Sequence, residues 1–174
     1  MRVAIIGTGA LGCLFGARLA RHAEVCVLGS WPHGVDAINK RGICVEANGV
    51  VETVQVSAGV DPQQFASATA AVLAVKSWQT ERAARLAAGV LAPDGLAVTL
   101  QNGLGNLEKL AECVGAERAV AGVTTQGAAL LGPGYVRYGG GGDTYFALRS
   151  STRVRLQKLA GLFEAYSHVG SQSS

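Results

Sequence analysis

RVAIIGTGALGCLFG, residues 2–16, carries the clearest structural signal in this chain of 174 residues. A short apolar run of strand character ends at Ile6 and leads into a turn rich in glycine. A segment with the apolar period of a helix follows from Ala10. The turn between the two elements has the pattern GxGxxG, and its glycines are Gly7, Gly9 and Gly12.

Each glycine of this turn has a physical role when a strand precedes it and a helix follows. Gly7 permits the tight turn, Gly9 lets the backbone approach a pyrophosphate, and Gly12 allows close contact between helix and strand. The free N–H groups at the start of the helix attract negative charge. The pattern predicts dinucleotide binding, and glycines that serve packing alone are the alternative. The turn residues predicted to bind the cofactor are Gly7, Thr8, Gly9, Ala10, Leu11 and Gly12.

Beyond the turn, apolar runs of strand length alternate with helix-period segments through most of the chain. This alternation is typical of parallel strands joined by crossover helices. It predicts an α/β fold with a Rossmann-type, doubly wound, mainly parallel sheet and antiparallel edge hairpins. The nearly continuous apolar character of the strands indicates burial on both faces. The predicted strands are 2–6, 24–28, 70–75, 96–101 and 118–123, and the predicted helices are 10–21, 34–40, 79–91 and 107–112.

Two hairpins and one further helix complete the predicted organisation. Asn48 and Gly49 favour a tight turn within 43–56, and a run of glycines predicts a second hairpin over 135–148. An apolar stripe predicts a helix at 152–166 that docks on the sheet or leads to another domain. We expect three units, which are a dinucleotide-binding domain at 1–150, a helix at 151–169 leading to an absent C-terminal helical domain, and a disordered tail at 170–174.

Composition argues against several classes of protein. The net charge of +3 is scattered, without a stripe of Lys and Arg among aromatics, so nucleic acid is not an expected partner. We expect no membrane span, because no apolar run approaches the roughly 18 residues that one needs, and no signal peptide. The widely spaced cysteines fit neither a metal site nor a disulfide framework, so we expect buried, reduced thiols in a cytoplasmic protein. The cysteines are Cys13, Cys26, Cys44 and Cys113.

The end of the second predicted strand bears on which dinucleotide is bound. A carboxylate at this position would bond the ribose 2′-hydroxyl of NAD and repel a 2′-phosphate. LGSWPHG, residues 28–34, contains no carboxylate, so the sequence favours NADP over NAD. Ser30 can donate a hydrogen bond to a 2′-phosphate, and Lys40 or Arg41 could supply positive charge.

Polar residues also follow later strands, beyond whose carboxyl ends ligands bind in open α/β sheets. Lys76 can neutralise a phosphate or bond a ribose or keto acid, unless it is a solvated surface lysine. The amide of Asn102 suits a nicotinamide ribose or a substrate hydroxyl, unless it caps a turn. Residues 124–126 would reach the same edge, either as ligand contacts or as caps of backbone groups. Trp78 is expected to pack.

The segments IIGTGALG, AVKSWQT, QNGLGN and GVTTQGA occur at spacings that resemble the N-terminal domain of the ketopantoate reductase family, over residues 1–148. The resemblance implies NADP bound over the glycine turn, contacts from Lys76 and Asn102, and a backbone contact near Ala128. Asn102 would also touch the substrate. The implied reaction passes hydride to a 2-keto acid, ketopantoate in pantothenate and coenzyme A biosynthesis, and a lysine of a second, helical domain protonates the alkoxide.

The sequence departs from that family pattern in two places. The basic residue that commonly follows the second strand is replaced around Ser30, and the catalytic lysine is expected beyond Ser174. We therefore expect no catalytic residue in this chain, weak NADP(H) binding and negligible reductase activity. Three readings stay open: the cofactor-binding half of such a reductase, a free-standing nucleotide-binding module that acts with a partner chain, or a related dehydrogenase with another substrate. Exposed apolar surface along the cleft would favour a homodimer.

Overall fold

The computed structural model describes residues 1–148 and 150–167, so the predicted tail at 170–174 lies outside the described residues. The described part contains a large sheet, a smaller sheet and α-helices that pack on them. The strands are β1 (Arg2–Ile6), β2 (Glu24–Leu28), β3 (Ile43–Ala47), β4 (Val50–Val54), β5 (Ser57–Gly59), β6 (Ala68–Leu73), β7 (Leu91–Thr99), β8 (Ala119–Thr124), β9 (Gly127–Gly132), β10 (Tyr135–Gly140) and β11 (Thr144–Phe146). The helices are α1 (Ala10–Leu19), α2 (Pro32–Arg41), α3 (Thr80–Val90), α4 (Asn106–Val114) and α5 (Arg153–Ser167).

The large sheet has the strand order β11-β8-β7-β6-β1-β2-β5. Its strands pair in parallel except β11, which runs antiparallel to β8 at one edge. The predicted α/β, mainly parallel fold is confirmed. Because β2 and β6 lie on opposite sides of β1, the order of strand addition reverses there, and such a reversal opens a crevice at the carboxyl ends of the strands.

Apolar side chains cover both faces of this sheet. One face packs against α1, α5 and the smaller sheet, and the other packs against α3 and α4. The Phe163 ring of α5 lies 5.3 Å from Phe15 of α1 and 5.2 Å from Phe146 of β11, between ring centroids. Helix α5 therefore docks on the domain core. Across the residues that the structure describes, none of the helices combines the length and apolar character that crossing a membrane requires.

The smaller sheet has the order β4-β3-β10-β9 and contains the first predicted hairpin. Strands β3 and β4 are antiparallel, and the turn residues Asn48 and Gly49 have φ of 51° and 77°. The second predicted hairpin is wrong in its pairing. Strand β10 pairs with β9 and β3, whereas β11 joins the large sheet, because the glycines at 139–142 carry the chain between sheets rather than folding it back.

The boundary between α3 and β7 also differs from the prediction. The helix ends at Val90 and the strand starts at the next residue, so Pro93 lies inside a strand rather than in a loop. The pairing of β7 with β6 is irregular there, with a register shift between Ala68 and Ala70. A proline is tolerated at such an irregularity because no ladder hydrogen bond needs its missing N–H.

Candidate functional site

The glycine turn follows β1 at the point where the sheet order reverses. Gly7 has φ of +126°, a conformation that strains any L side chain, and a Cβ there would lie 2.9 Å from Cγ1 of Val75. The Gly7 N–H donates to the carbonyl of Leu28 at 2.7 Å, which ties the turn to the end of β2. Position 7 therefore requires glycine for both conformation and space.

Gly9 precedes α1 and opens onto empty space. A Cβ built at Gly9 meets no heavy atom within 4 Å. No side chain caps α1, and its first turn contains no acidic residue. The first N–H groups of a helix have no partner within the helix, so this end can receive an anion. The turn thus has the free amides and the open approach that a diphosphate needs.

Gly12 has a different role. A Cβ at Gly12 would lie 2.0 Å from the carbonyl oxygen of Gly7, which is far inside van der Waals contact. Gly12 is not among the residues that line the cleft, whereas the preceding turn residues are. Its absent side chain lets α1 approach the turn, as the packing interpretation of this position expects.

A cleft of about 650 Å³ extends from the turn along the carboxyl ends of the strands. Ligand pockets for small molecules commonly have volumes of roughly 300–1,000 Å³. The cleft brings together residues that are far apart in sequence, each of which was a sequence-based candidate. These are Gly7, Thr8, Gly9, Ala10, Leu11, Ser30, Lys76, Asn102 and Ala128.

Lys76 and Trp78 stand between β6 and α3. Lys76 is exposed and precedes a short 3₁₀ helix, Ser77–Gln79. The expectation that Trp78 packs is wrong, because 78% of this residue is exposed and it lines the cleft. The 3₁₀ turn stands outside the sheet, which keeps this indole out of the core.

The buried side-chain amide of Asn106 fixes the loop that carries Asn102. The Nδ2 group of Asn106 donates to the carbonyls of Asn102 and Gly103 at 3.1 and 3.2 Å. Oγ1 of Thr80 donates to Oδ1 of Asn106 at 2.8 Å. The same Thr80 oxygen accepts a hydrogen bond from Nε2 of Gln101 at 2.9 Å. Asn106 is only 4% exposed, so this network fixes the loop that presents the exposed Asn102. Sequence reasoning missed Asn106, although it closes the NGLGN motif.

Of the three polar residues at 124–126, Gln126 lines the cleft. Its Oε1 accepts from Nη1 of Arg18 at 2.8 Å, and its Nε2 donates to the carbonyl of Gly142. The Arg18 guanidinium lies 4.0 Å from the ring centroid of Tyr138. Gln126 therefore joins α1 to the strand β9 edge that carries Ala128. No sequence signal indicated the contact with Arg18, which lies 108 residues away.

The cleft is positive in charge. Among the described residues that line it, Lys76 and Arg82 are cationic and none is a carboxylate. Arg82 is a second residue that sequence reasoning missed, although it follows Lys76 and Gln79 at helical spacing. Lys40 and Arg41, the basic residues suggested by the sequence, do not line the cleft, because they lie at the far end of α2.

The cysteines provide packing rather than chemistry in the described structure. Burial raises the pKa of the Cys13 thiol to about 12 and that of Cys26 to about 11, so both stay protonated. Cys44 and Cys113 are half-buried, and all four are free thiols. The prediction of buried thiols is confirmed for Cys13 and Cys26. No group of three or more His, Cys, Asp or Glu residues suited to a metal occurs in the part of the chain described.

Comparison with known proteins identifies this arrangement with one family. The model of the family described as ketopantoate reductase PanE/ApbA matches residues 3–151. The 2-dehydropantoate 2-reductase of Halobacterium salinarum is 38% identical over 166 residues, which are 94% of this chain and 54% of that protein. The chain thus spans about half the length of the curated relatives it matches.

Solved structures show the same relationship. A PanE/ApbA family ketopantoate reductase from Ralstonia eutropha is similar with a TM-score of 0.83 and 35% identity, over 95% of this chain and 54% of that one. A D-mandelate dehydrogenase, solved with NADH and anilino(oxo)acetate, is similar with a TM-score of 0.85 and 26% identity, over 94% of this chain and 54% of that one.

Proposed function

The chain belongs to the ketopantoate reductase family, and we propose that it supplies the cofactor-binding part of an NADP-dependent 2-dehydropantoate 2-reductase, which converts ketopantoate to pantoate. The observation that carries the proposal is the start of α1, which no described side chain caps and which is open at Gly9. It is continuous with a cleft whose described lining includes two cationic residues and no carboxylate. In this proposal residues 1–150 form the dinucleotide-binding domain, and helix α5 leads to the rest of the enzyme.

The residues present fit a nicotinamide dinucleotide in shape and charge. The space above Gly9 admits a phosphate close to the backbone, and the amides of the first helical turn can donate to it. The cleft continues to Ser30 on one side and to Asn102 on the other, so one elongated ligand can contact all three regions. Backbone amides act here as uncharged donors that need no reorganisation.

We assign the following roles to individual residues. Gly7 to Leu11 hold the diphosphate, Ser30 contacts the adenosine ribose, and Lys76 neutralises phosphate or donates to a ribose. Asn102 binds the nicotinamide ribose and the substrate, using an amide that both donates and accepts. A backbone group of Ala128 contacts the nicotinamide end.

The bound cofactor would supply hydride to the carbonyl carbon of the 2-keto acid. The residues of this chain bind and orient, because rigid placement of two reactants supplies much of a rate enhancement. The alkoxide that forms needs a proton, and we place its lysine donor outside the 174 residues of this chain. We therefore expect negligible reductase activity from the chain alone.

A second candidate is an NAD-dependent 2-keto acid reductase of the same fold. It is favoured by the lack of a basic residue in the loop after β2, and by the similarity to a D-mandelate dehydrogenase solved with NADH. Titrations of NADPH and of NADH separate the two candidates, because only the NADP-dependent reductase should bind NADPH more tightly than NADH.

Substitution at Gly9 tests the proposal most simply. In Gly9→Ala the new methyl has room in the fold but occupies the space given to the diphosphate. We expect at least about a tenfold loss of NADPH affinity, corresponding to about 1.4 kcal/mol, at an unchanged Tm. Quenching of tryptophan fluorescence reports binding, since Trp31 and Trp78 both line the cleft.

Gly132→Ala is the matched control for this experiment. A Cβ at Gly132 also meets no heavy atom within 4 Å, but the residue lies away from the cleft lining. This variant should bind NADPH like the parent chain. Equal affinity in Gly9→Ala and Gly132→Ala would refute diphosphate binding at the turn.

A further inference from the structure

The adenosine end of a dinucleotide is expected beside the loop after β2, where the described lining of the cleft contains no cation. The loop after β2 supplies Gly29, Ser30 and Trp31 to the lining, and none of these is charged. Lys40 and Arg41 stand at the C-terminal end of α2, and at 1.5 Å per residue they lie roughly 12–14 Å along the helix from the loop. The Arg41 guanidinium instead donates to the carbonyl of Pro133.

Arg82 supplies positive charge to the same cleft from α3. It is the third residue of α3 and is exposed, and it lines the same cavity as Ser30 and Trp31. Its neighbour on the helix, Arg85, is paired with Glu81, whereas the structure shows no hydrogen bond or ion pair for Arg82 within the described residues. The guanidinium of Arg82 is therefore available to a ligand.

We propose that Arg82 recognises the 2′-phosphate of NADP, with Ser30 as a hydroxyl donor, and so determines the cofactor preference of this chain. A guanidinium can make two parallel hydrogen bonds to a phosphate. Among the described residues that line the cleft, none is a carboxylate that would accept from a free 2′-hydroxyl or repel a phosphate. This inference rests on the proposed dinucleotide binding and adds a specificity residue to it.

Paired titrations of NADPH and NADH test the assignment in three variants of the full chain. Arg82→Ala should lose about tenfold or more in NADPH affinity, because a hydrogen bond to a charged group contributes about 1.5–3 kcal/mol. Its NADH affinity should change by less than about twofold. Arg82→Lys, which keeps a point charge, should fall between the parent and Arg82→Ala. Arg85→Ala, the neighbouring arginine outside the cleft lining, should bind both cofactors like the parent.

A smaller probe separates phosphate recognition from the rest of the cofactor. Adenosine 2′,5′-bisphosphate should bind the parent chain more tightly than adenosine 5′-monophosphate, and Arg82→Ala should remove most of that difference. Higher salt should weaken the bisphosphate more strongly than the monophosphate, since the added contact is between opposite charges.

The outcomes distinguish this inference from the function on which it rests. If Arg82→Ala lowered NADPH and NADH affinity equally, or if the parent bound both equally, recognition of the 2′-phosphate by Arg82 would be wrong while dinucleotide binding stood. If the parent bound neither cofactor, the proposed function itself would fail. Because Arg82 is exposed, circular dichroism should show the parent fold in each variant.

Discussion

The glycine turn and the two loops that follow β6 and β7 form one cleft by different physical means. In the turn the backbone determines the shape, since Gly7 needs a positive φ and Gly12 touches the Gly7 carbonyl. In the loops buried side chains determine the shape, as Asn106 does for the loop of Asn102. Positions 7 and 12 of the turn therefore have no room for an added Cβ, whereas the loops depend on polar atoms that must stay paired.

The largest loss of stability and of NADPH binding is expected from a substitution at Gly12. A Cβ there would lie 2.0 Å from a backbone oxygen that cannot rotate away. Gly12→Val should lower the free energy of unfolding by about 3 kcal/mol or more, in the upper part of the range for overpacking. It should also abolish NADPH binding, because α1 must move away from the turn. Thermal or urea unfolding measures the change, and a loss no greater than that of Gly132→Ala would break the comparison.

The second largest effect is expected in the loop after β7, from a substitution at Asn106. Asn106→Ala removes the side-chain donor to the carbonyls of Asn102 and Gly103. The Thr80 hydroxyl loses one acceptor but keeps its contacts with Ser77 and Gln101. We expect about 1–3 kcal/mol of lost stability, together with weaker NADPH binding through the loosened loop. Urea unfolding and fluorescence titration measure the two effects.

Asn39 offers a matched control for Asn106. Its side chain exchanges two hydrogen bonds with the backbone of Ala58, both of 2.8 Å, and it does not line the cleft. Because Asn39 is exposed, Asn39→Ala should lose less stability than Asn106→Ala, and it should keep NADPH affinity. Parallel loss of affinity in both variants would mean that Asn106 acts through general stability alone.

Two buried thiols near the turn should make the free energy of unfolding depend on pH. Cys13 on α1 and Cys26 on β2 have pKa values raised by burial to about 12 and about 11, against about 9 in the unfolded chain. The thiols therefore lose their protons at a lower pH in the unfolded chain than in the folded protein. Their contribution to the free energy of unfolding is complete below pH 9 and is lost as the pH rises through 11 and 12. Each thiol contributes a slope of at most about 1.4 kcal/mol per pH unit. Cys13→Ala should flatten the profile measured by urea unfolding, and a slope above pH 9 that stayed the same in this variant would contradict the role of the Cys13 thiol.

The smallest loss of NADPH affinity is expected from a substitution at Gln126. Gln126→Leu removes the acceptor of Arg18 and the donor to Gly142, which loosens the strand edge that carries Ala128. The variant loses one hydrogen bond from the Arg18 cation and one neutral hydrogen bond. Because both act on the cofactor only through the position of this edge, we expect a loss of about 1 kcal/mol, or roughly fivefold, in NADPH affinity. Thr125→Val, one residue away and outside the cleft lining, should leave affinity unchanged. If both variants behaved alike, the link between α1 and this edge would have no effect on binding.

The same contrast explains which parts of the site were predictable from sequence. The roles of Gly7, Gly9 and Gly12 follow from local spacing, because turn and helix geometry depend on neighbours in the chain. Lys76 and Asn102 were predicted from their positions after strands, since parallel strands bring their carboxyl ends to one edge. The mainly parallel pairing of the large sheet followed from the alternation of strands and helices, whereas the places of β5 and β11 in it did not.

The missed residues depend on contacts that periodicity does not encode. No local sequence signal separates Arg82 from the other charged residues of α3, and only the tertiary structure places it in the same cleft as Ser30. The bond between Arg18 and Gln126 joins residues 108 positions apart. The pairing of β10 with β9 rather than β11 depends on which sheet edge lies nearby, because a glycine run permits either path.

The central claim is that free backbone amides of the glycine turn hold the diphosphate of a nicotinamide dinucleotide. An amide ¹H–¹⁵N NMR titration of the chain with NADPH tests it directly, with each signal followed by residue. We predict that the largest shifts occur at Gly9, Ala10 and Leu11, while those of Val51 and Glu52 in the smaller sheet stay in place. Saturable shifts confined to other residues, or no shifts at the turn at millimolar NADPH, would contradict the account.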